Sequence, residues 1–378
     1  MRILHVNAGN LYGGIESMLV TLARYRSEVP ALEQRFALCF DGRLASELAE
    51  AGASAEALGP VRSSRPWMVL RARAALSGVV ARQRIEAVAC HGTWSHAVFG
   101  PAVRRSGARL VTWAHAPPSR LRLLDLAATR TPPDLVIANS AHTAAAARRM
   151  FPLAPTAIIA PPVEAPPPFD RAAAGLAVRA ALATPDDDVV IVVACRLEPW
   201  KGVHVLVEAL ARLRELPGWT CWIAGGAQRP AERRYLTDLQ ARVARAGMNG
   251  RVRFLGARSD VRSLLAAADV YCQPNTAPEP FGIAFVEALD AGLPVVTSPM
   301  GGALEVLDAR SALFAPPRAA EVAERLAVLV EDAPLRRRLG AAGPARARAL
   351  CDPGTALRLL ASALGVPGAQ CTLPARPR

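Results

Sequence analysis

The sequence lacks the marks of several protein classes. It contains no run of about 18 uninterrupted apolar residues, which argues against a membrane-spanning helix. Its seven cysteines include no C-x-x-C pair, and most lie in apolar strand-like runs, so we expect reduced thiols in a cytosolic protein and no structural zinc site. Aromatic residues make up only 5% of the chain, and the arginines show no stacking pattern of the kind that single-strand nucleic-acid binders use.

Lysine is almost absent. Of the 45 basic residues among 378, 44 are arginine and one is Lys201, and asparagine is also scarce, with five residues. A compositional preference for arginine explains the 44 positions but not the one that keeps lysine. A compact ammonium group in a tight site is the simplest cause, since a guanidinium is larger and planar. Lys201 is therefore a candidate functional residue.

The net charge of +13 is unevenly distributed. Residues 1–165 hold 19 basic and 11 acidic residues, whereas residues 166–378 hold 26 and 21. The N-terminal part is therefore the more basic per residue. Such a surplus attracts nucleic acid, anionic lipid or phosphorylated ligands.

Short β-branched runs alternate with longer amphipathic stretches along the whole chain. Near-continuous apolar runs such as 189–195 suit a parallel sheet covered by helices on both faces, so the fold class is α/β, doubly wound. The first run follows Met1 directly, and we interpret it as a strand, since its apolar part is too short for a signal peptide. The predicted strands are 2–7, 36–40, 86–90, 109–114, 134–138, 156–160, 189–195, 219–224, 251–255, 269–273 and 294–297.

A proline-rich segment divides the chain. Five prolines within residues 161–168 cannot continue a helix or a central strand. We therefore predict an N-terminal domain over 1–165 and a second α/β domain over 166–350. In the remaining segment, 351–378, we expect a helix that packs back at the junction and a mobile tail.

Two glycines, Gly13 and Gly14, stand between the first strand and the first helix in Leu-Tyr-Gly-Gly-Ile-Glu16. They allow a ligand close to the backbone, and a helix N-terminus presents free N–H groups to an anion. A simple tight turn is an equally good interpretation of Gly-Gly alone. The G-x-G-x-x-G spacing of a dinucleotide fold is missing, which argues against a dehydrogenase.

Two cations follow the first strand of the second domain, Arg196 and Lys201 in Arg-Leu-Glu-Pro-Trp-Lys-Gly202. Placed five positions apart on a strand-to-helix turn, they can converge on one diphosphate. Two solvated surface charges are the alternative, which the position of the lone lysine disfavours.

Two glutamates, Glu279 and Glu287, stand eight positions apart around the start of a predicted helix. Free N–H groups near Phe281, Gly282 and Ile283 would face an anion there, and the carboxylates could accept hydrogen bonds from sugar and ribose hydroxyls. Taken alone, such a pair also occurs on solvated helix faces. The D-x-D pattern in 186–188 precedes a strand, and we interpret it as a polar strand start, not a metal site.

Together these motifs form an ordered series that resembles the retaining GT-B glycosyltransferases of family 4, often called group 1. The resemblance covers roughly residues 1–345 and is densest over 190–310. It departs at Cys195, where the family usually has glycine, and around 275–278 and 312–315. The motifs that carry it are Gly13-Gly14-x-Glu16, Arg196-x4-Lys201-Gly202, 252–256, Glu279-x7-Glu287, 291–296 and Gly301-Gly302-x-x-Glu305.

The resemblance implies two Rossmann-like domains facing across a cleft and a nucleotide-diphospho-sugar as co-substrate, without a cofactor or metal ion. It implies that Arg196 and Lys201 bind and stabilise the leaving diphosphate, that Gly14 lets the first loop close over the phosphates, and that Gly13 is also part of the donor-binding site. By the same resemblance Glu279 holds donor-sugar hydroxyls, with the backbone of Phe281, Gly282 and Ile283, and Glu287 binds the ribose. His115 matches the N-domain histidine that reaches the donor sugar near the reacting carbon.

Acceptor recognition then belongs to the basic N-terminal domain. Arginines flank the apolar run 67–70, at positions 62, 65, 71, 73, 82 and 84, with further arginines at 104, 105, 120 and 122. A basic surface with an aromatic residue fits peripheral attachment to an anionic membrane and a lipid-linked acceptor. A solvated arginine face in an arginine-biased protein explains it equally well. Among the other histidines we interpret 5, 96, 142 and 204 as structural or surface residues, and His91 as lining the acceptor side.

The predicted function is transfer of a hexose-type sugar to a glycan or lipid-linked acceptor in bacterial-type surface polysaccharide or glycolipid synthesis, in the cytoplasm or on the inner face of the plasma membrane. Two alternatives remain. A nucleotide-sugar epimerase or hydrolase would use the same scaffold, because fold alone does not define chemistry. A basic nucleic-acid-binding protein is suggested only by the pI of about 10.5, and we expect no nucleic-acid partner.

Overall fold

The computed structural model describes residues 1–118, 123–164 and 170–368. The described chain divides into two compact units, the first formed by Met1–Glu164 with residues 351–368, the second by residues 170–350. The described part of the segment after 350, which the sequence predicts as separate, is therefore grouped with the first unit. Arg120, Arg122, the prolines at 166–168 and the tail from 369 lie outside the described residues.

The first unit is built on a seven-stranded parallel sheet in the order β3-β2-β1-β4-β5-β6-β7. The strand order reverses between β1 and β4, and in open α/β sheets ligands bind beyond the carboxyl ends of the strands at such a point. The strands are β1 (Arg2–Asn7), β2 (Glu33–Leu38), β3 (Ala55–Ala57), β4 (Ala87–His91), β5 (Arg109–Ala114), β6 (Leu135–Ala138) and β7 (Thr156–Ile158).

Helices cover both faces of this sheet because alternate strand residues point to opposite sides. On one face Ile3, Ala89 and Trp113 join a core with residues of the first and last helices, and on the other Leu4, Val6 and Cys90 pack with residues of the third and fourth. The helices are α1 (Gly14–Arg24), α2 (Arg43–Glu50), α3 (Pro66–Gln83), α4 (Gly92–Ser106), α5 (Leu123–Thr129), α6 (Ala141–Met150) and, at the end of the described chain, α16 (Pro353–Ala363).

The helix α16 packs into the first unit as a full core element. Leu357 and Leu360 are completely buried in the same apolar cluster as Ile3 and Leu22. Asp352 caps the helix by accepting a hydrogen bond from the Thr355 backbone N–H at 2.7 Å. The predicted returning helix is thus confirmed.

The second unit contains a six-stranded parallel sheet in the order β10-β9-β8-β11-β12-β13. Its strands are β8 (Val189–Ala194), β9 (Trp219–Ala224), β10 (Val252–Gly256), β11 (Val270–Gln273), β12 (Val295–Thr297) and β13 (Ala312–Phe314). The accompanying helices are α7 (Arg171–Ala181), α8 (Val203–Arg212), α9 (Pro230–Arg245), α10 (Val261–Ala266), α11 (Ile283–Asp290), α12 (Ala303–Val306), α13 (Ala319–Glu331), α14 (Ala333–Ala341) and α15 (Gly343–Cys351).

All eleven predicted strands are present, and the α/β class is confirmed. The predictions omit β3 and β13, three-residue edge strands too short to show a period of two. The D-x-D segment is a polar strand start, as predicted: Asp188 accepts a hydrogen bond from the Thr220 hydroxyl and its carbonyl accepts one from Arg179. Within the described ranges, no helix combines the length and apolarity needed to cross a bilayer.

Candidate active site

The turn that carries Lys201 is fixed by the glycine that follows it. Strand β8 leads into a short 3₁₀ turn, Pro199–Lys201, and then into α8. Gly202 between them has φ +74°, and a Cβ atom there would lie 1.8 Å from the carbonyl oxygen of Pro274. Only glycine fits this position, which brings the lysine turn against the loop after β11.

Lys201 forms a buried ion pair with Glu279. Its Nζ atom lies 2.8 Å from Oε2 of Glu279 and 4.1 Å from the centre of the Trp200 ring. Glu279 is only 5% exposed. Two residues 78 positions apart are thus in direct contact, and the prediction that both belong to one site gains a geometric basis.

Three donors converge on the same oxygen of Glu279. Besides Lys201, the side-chain amides of Asn275 and Gln273 donate to Oε2 at 2.8 and 3.2 Å. The other oxygen, Oε1, makes no hydrogen bond within the described part of the chain. The carboxylate is therefore held rigidly by one oxygen and presents the other as an acceptor. Sequence reasoning did not assign Gln273 and Asn275, although polar amides at the end of an apolar strand are a detectable signal.

Two further glycines hold the loop that carries Glu279. The backbone N–H of Gly302 donates to the carbonyl of Glu279 at 2.6 Å, and Gly301 pairs with Glu279 as an isolated parallel bridge. Gly301 has φ +67°, and a Cβ atom there would come within 2.5 Å of the Glu279 carbonyl oxygen. Gly301 and Gly302 are therefore needed for close packing against the backbone of the loop that carries Glu279.

Phe281, Gly282 and Ile283 connect this loop to α11. Phe281 is buried, and Gly282, at φ +99°, is the residue before the helix, which begins at Ile283. The Gly282 carbonyl accepts a hydrogen bond from the Phe285 N–H at 2.9 Å. The first turn of the helix thus begins within four residues of Glu279, and helix N-termini carry partial positive charge.

Arg196 lies on the same turn as Lys201 but pairs with a different carboxylate. Its Nη2 atom is 3.0 Å from Oε2 of Glu198, which also accepts a hydrogen bond from Trp200 Nε1 at 3.1 Å. Trp200 in turn lies under the Lys201 ammonium. The two cations are therefore linked through Glu198 and Trp200, an arrangement that the sequence did not indicate.

Glu287 is half-buried on α11 and makes no hydrogen bond to any described residue. Burial raises the pKa of its carboxyl to about 7, while the positive charge of Arg262 acts in the opposite direction. A carboxylate that accepts no hydrogen bond from a described residue and loses part of its hydration is suited to bind hydroxyl groups.

In the first unit Gly13 and Gly14 lie at the start of α1. Gly13 is the extended N-cap residue, φ −174°, and no side chain caps the helix there. Glu16, buried in the first turn, accepts a hydrogen bond from the Asn7 side chain at 3.1 Å. This hydrogen bond joins the end of β1 to the start of α1. At the N-terminus of the helix, the groups that a ligand could contact are backbone N–H groups.

His115 follows β5 and belongs to a chain of histidines. Its Nε2 atom lies 2.9 Å from Nδ1 of His91, whose Nε2 atom lies 2.9 Å from Nδ1 of His5. Its backbone carbonyl accepts a hydrogen bond from the Asn139 side chain at 3.0 Å. Burial lowers the pKa of His115 to about 3. The interpretation of His5 as a structural or surface residue and of His91 as lining the acceptor side did not include these contacts.

Two parallel-sheet α/β units, in which the strand order reverses between β1 and β4 and between β8 and β11, are characteristic of the GT-B class of fold. The solved structure of HepE from Anabaena, in complex with UDP and glucose, superposes with a TM-score of 0.83 at 26% identity, covering 97% of this chain and 99% of HepE. A family model for group 1 glycosyl transferases matches residues 177–346, and one for glycosyltransferase family 4 matches residues 12–165. The chain belongs to the group 1, family 4 glycosyltransferases.

Curated relatives match over shorter segments. The lipopolysaccharide core biosynthesis glycosyltransferase LpsE of Rhizobium meliloti is 40% identical over 121 residues, 32% of either chain. The phosphatidyl-myo-inositol mannosyltransferase of Mycobacterium tuberculosis is 35% identical over 160 residues, 40% of either chain. The chain therefore matches less than half the length of these relatives.

Proposed function

We propose that this protein is a retaining glycosyltransferase that moves a hexose-type sugar from a nucleotide-diphospho-sugar to a glycan or lipid-linked acceptor in surface polysaccharide or glycolipid synthesis. The observation that carries the proposal is the Lys201–Glu279 ion pair, in which a cation lies beside a carboxylate whose Oε1 makes no hydrogen bond to a described residue. The HepE complexes with UDP and with UDP-glucose support a nucleotide-sugar donor. A glycolipid-type acceptor is supported by the similarity to LpsE, a lipopolysaccharide core biosynthesis glycosyltransferase, and to the phosphatidyl-myo-inositol mannosyltransferase.

The proposed chemistry assigns each charge to a part of the donor. Cleavage of the glycosyl–phosphate bond places positive charge on the sugar and negative charge on the diphosphate, and fixed opposite charges stabilise both. Lys201, Arg196 and the N-terminus of α11 at Phe281–Ile283 neutralise the diphosphate. Glu279 Oε1 accepts hydrogen bonds from sugar hydroxyls, and Glu287 binds the ribose.

The first unit supplies the remaining groups. The start of α1 at Gly13 and Gly14 approaches the phosphates through backbone N–H groups. His115 acts near the reacting carbon by positioning and charge stabilisation. We propose that the reaction needs neither a metal ion nor a cofactor, because Lys201, Arg196 and the N-terminus of α11 supply the positive charge that the diphosphate requires.

A panel of nucleotide-sugars tests the donor. Binding to the folded protein alone raises its melting temperature, so UDP-, GDP- and other donors are compared by thermal shift in the presence of a chelator. The donor that binds is then used in a transfer assay, in which NMR of the product gives the configuration at the anomeric carbon. An inverted product would contradict the retaining mechanism. Donor turnover without any acceptor product would favour the epimerase or hydrolase alternative.

We propose further that the protein is cytoplasmic and contacts an anionic membrane through the start of α3. Trp67 and Leu70 are 65% and 61% exposed there, beside exposed Arg65 and Arg71. Other arginines of the N-terminal unit contact protein groups instead. Arg73 donates to backbone carbonyls of α4, Arg82 pairs with Glu56, and Arg104 pairs with Asp134.

Liposome flotation tests the membrane contact. We expect binding to vesicles that contain anionic lipid, weakening with salt, and a loss of binding in Trp67→Ala. Leu153→Ala is the matched control, since Leu153 is a 97% exposed apolar residue elsewhere in the first unit. Equal binding to neutral vesicles, or equal loss in both variants, would contradict the proposed contact.

A further inference from the structure

Three histidines form one hydrogen-bonded chain across the sheet of the first unit. His5, His91 and His115, called here the histidine chain, are contributed by β1, the end of β4 and the residue after β5, which are adjacent strands. The two hydrogen bonds that join them both measure 2.9 Å. Histidines in the middle of an apolar face are unusual, because each buried ring nitrogen needs a partner.

Aromatic packing fixes the three rings. The rings of His91 and His115 stack at 5.2 Å with an angle of 17° between them, and Trp113 stacks on His91 at 5.1 Å. His5 stacks on Phe36 at 5.3 Å. All these residues lie on the face that packs against α1 and α16, so the orientation of His115 is set by contacts on several sides.

The three imidazoles are neutral at physiological pH. Burial lowers the pKa of His5 to about 4 and that of His115 to about 3, and burial and the two neighbouring rings together hold the pKa of His91 well below its usual range. A neutral imidazole has one N–H donor and one acceptor nitrogen. Because His91 uses both nitrogens within the chain, the two hydrogen bonds must run in the same direction. Only two arrangements of the protons are therefore possible.

The far end of the chain selects one of them. The buried Nε2 atom of His5 has no hydrogen-bond partner within range among the described residues, and the same holds for the buried Oε1 atom of Gln34 on the neighbouring strand. Gln34 stands two positions before Phe36, the register partner of His5, so the side chains of Gln34 and His5 share one face of the sheet, and Gln34 raises the pKa of His5. A proton on His5 Nε2 supplies a donor on the same face as this buried oxygen, whereas a bare nitrogen would leave two buried acceptors without a donor. With that proton, His91 donates from Nε2 to His5, and His115 donates from Nε2 to His91.

We propose that His91, backed by His5, is a positioning residue that holds His115 in the Nε2–H tautomer. His115 then presents a lone pair at Nδ1, so it accepts a hydrogen bond from a sugar or acceptor hydroxyl and does not donate one. This inference rests on the proposed role of His115 in transfer. The chemical class recognised at Nδ1 is a hydroxyl donor.

Three substitutions at one position separate the hydrogen bond from the packing. In His91→Asn the amide replaces the Nδ1 position that faces His115, in His91→Gln it replaces the Nε2 position that faces His5, and His91→Phe removes both nitrogens. We expect kcat to fall roughly 10–100-fold in His91→Phe and His91→Gln, the usual range for a lost outer partner, with KM for the donor changed less than about threefold. His91→Asn should retain kcat within about fivefold of the parent.

His96→Gln is the matched control for stability. His96 is also buried in the first unit, with hydrogen bonds to Thr112 and to the carbonyl of Thr131, but lies outside the histidine chain. We expect it to lower the melting temperature while leaving kcat unchanged. A merely structural role for His91 would make melting temperature and kcat fall together in all four variants, which would overturn the proposal.

Long-range ¹⁵N–¹H NMR of histidine-labelled protein tests the tautomer without any activity. We expect Nε2–H signatures for His115 and His91 in the parent and for His115 in His91→Asn, and a loss of the single tautomer at His115 in His91→Phe. An Nδ1–H signature at His115 in the parent would overturn the proposal even if transfer is confirmed. If no donor supports transfer, the proposed function fails separately while the tautomer result still stands.

Discussion

Glutamine in place of Glu287 should make the protein more stable at alkaline pH and weaken donor binding at the same time. Burial raises the pKa of this carboxyl from 4.5 in the unfolded chain to about 7. Between these values the folded state holds the proton more tightly than the unfolded state, so stability falls as pH rises through this window. Above pH 7 the ionised carboxyl destabilises the folded state to the full extent, and the difference between the two pKa values corresponds to about 3 kcal/mol.

Glu287→Gln has no carboxylate to ionise, so it avoids that cost. At pH 8 we expect a gain of about 2–3 kcal/mol, which for a unit of this size raises the melting temperature by roughly 4–12 °C. At pH 5 the carboxyl is mostly protonated in the folded protein, and the gain should shrink below about 1 kcal/mol. The ionised carboxylate thus lowers the free energy of unfolding, as is common for a group that serves ligand binding and not stability.

Differential scanning fluorimetry from pH 5 to 8.5 measures the effect on parent and variant. Glu331→Gln is the matched control, because the same substitution there removes a carboxyl that is exposed at the end of α13 and not buried. A gain that is independent of pH, or a variant less stable than the parent at pH 8, would refute the reasoning. In the same samples the Kd for the donor should rise at least about tenfold, since hydrogen bonds to a charged group contribute about 1.5–3 kcal/mol.

The remaining predictions concern the lysine turn. Lys201→Arg should lower kcat at least about tenfold, because a guanidinium is larger than the ammonium held between Glu279 and Trp200; near-normal kinetics would mean that the lone lysine is chance. Lys201→Ala and Glu279→Ala should each abolish transfer while the circular dichroism spectrum stays that of the parent. Full activity in either variant would contradict the assignment of that residue to the active site. Gly202→Ala should lower the unfolding free energy of the second unit by more than about 2 kcal/mol, because its Cβ would lie 1.8 Å from a carbonyl oxygen. Gly218→Ala, at φ +75° in open space, should lose only about 1 kcal/mol in the same denaturation experiment, and equal losses would show that the close contact does not matter.

Much of the fold could be predicted from local pattern. Continuous apolar runs such as 189–195 are typical of strands buried on both faces, and the predicted positions of eleven strands are confirmed. The edge strands β3 and β13 could not be found this way, because three residues contain too little periodicity. Their strand form depends on pairing with β2 and β12, which is a tertiary contact.

The sequence by itself determined the fold class and the family, since these follow from residue type and spacing along the chain. The same spacing predicts Lys201, Glu279 and the glycines around them as site residues. Tertiary structure alone decided which side chains meet. It paired Lys201 with Glu279, 78 positions away, and it joined His5, His91 and His115 into one chain. The physical reason is the strand order: in a sheet where β1 lies beside β4, residues 86 positions apart become neighbours, and no local pattern records that adjacency.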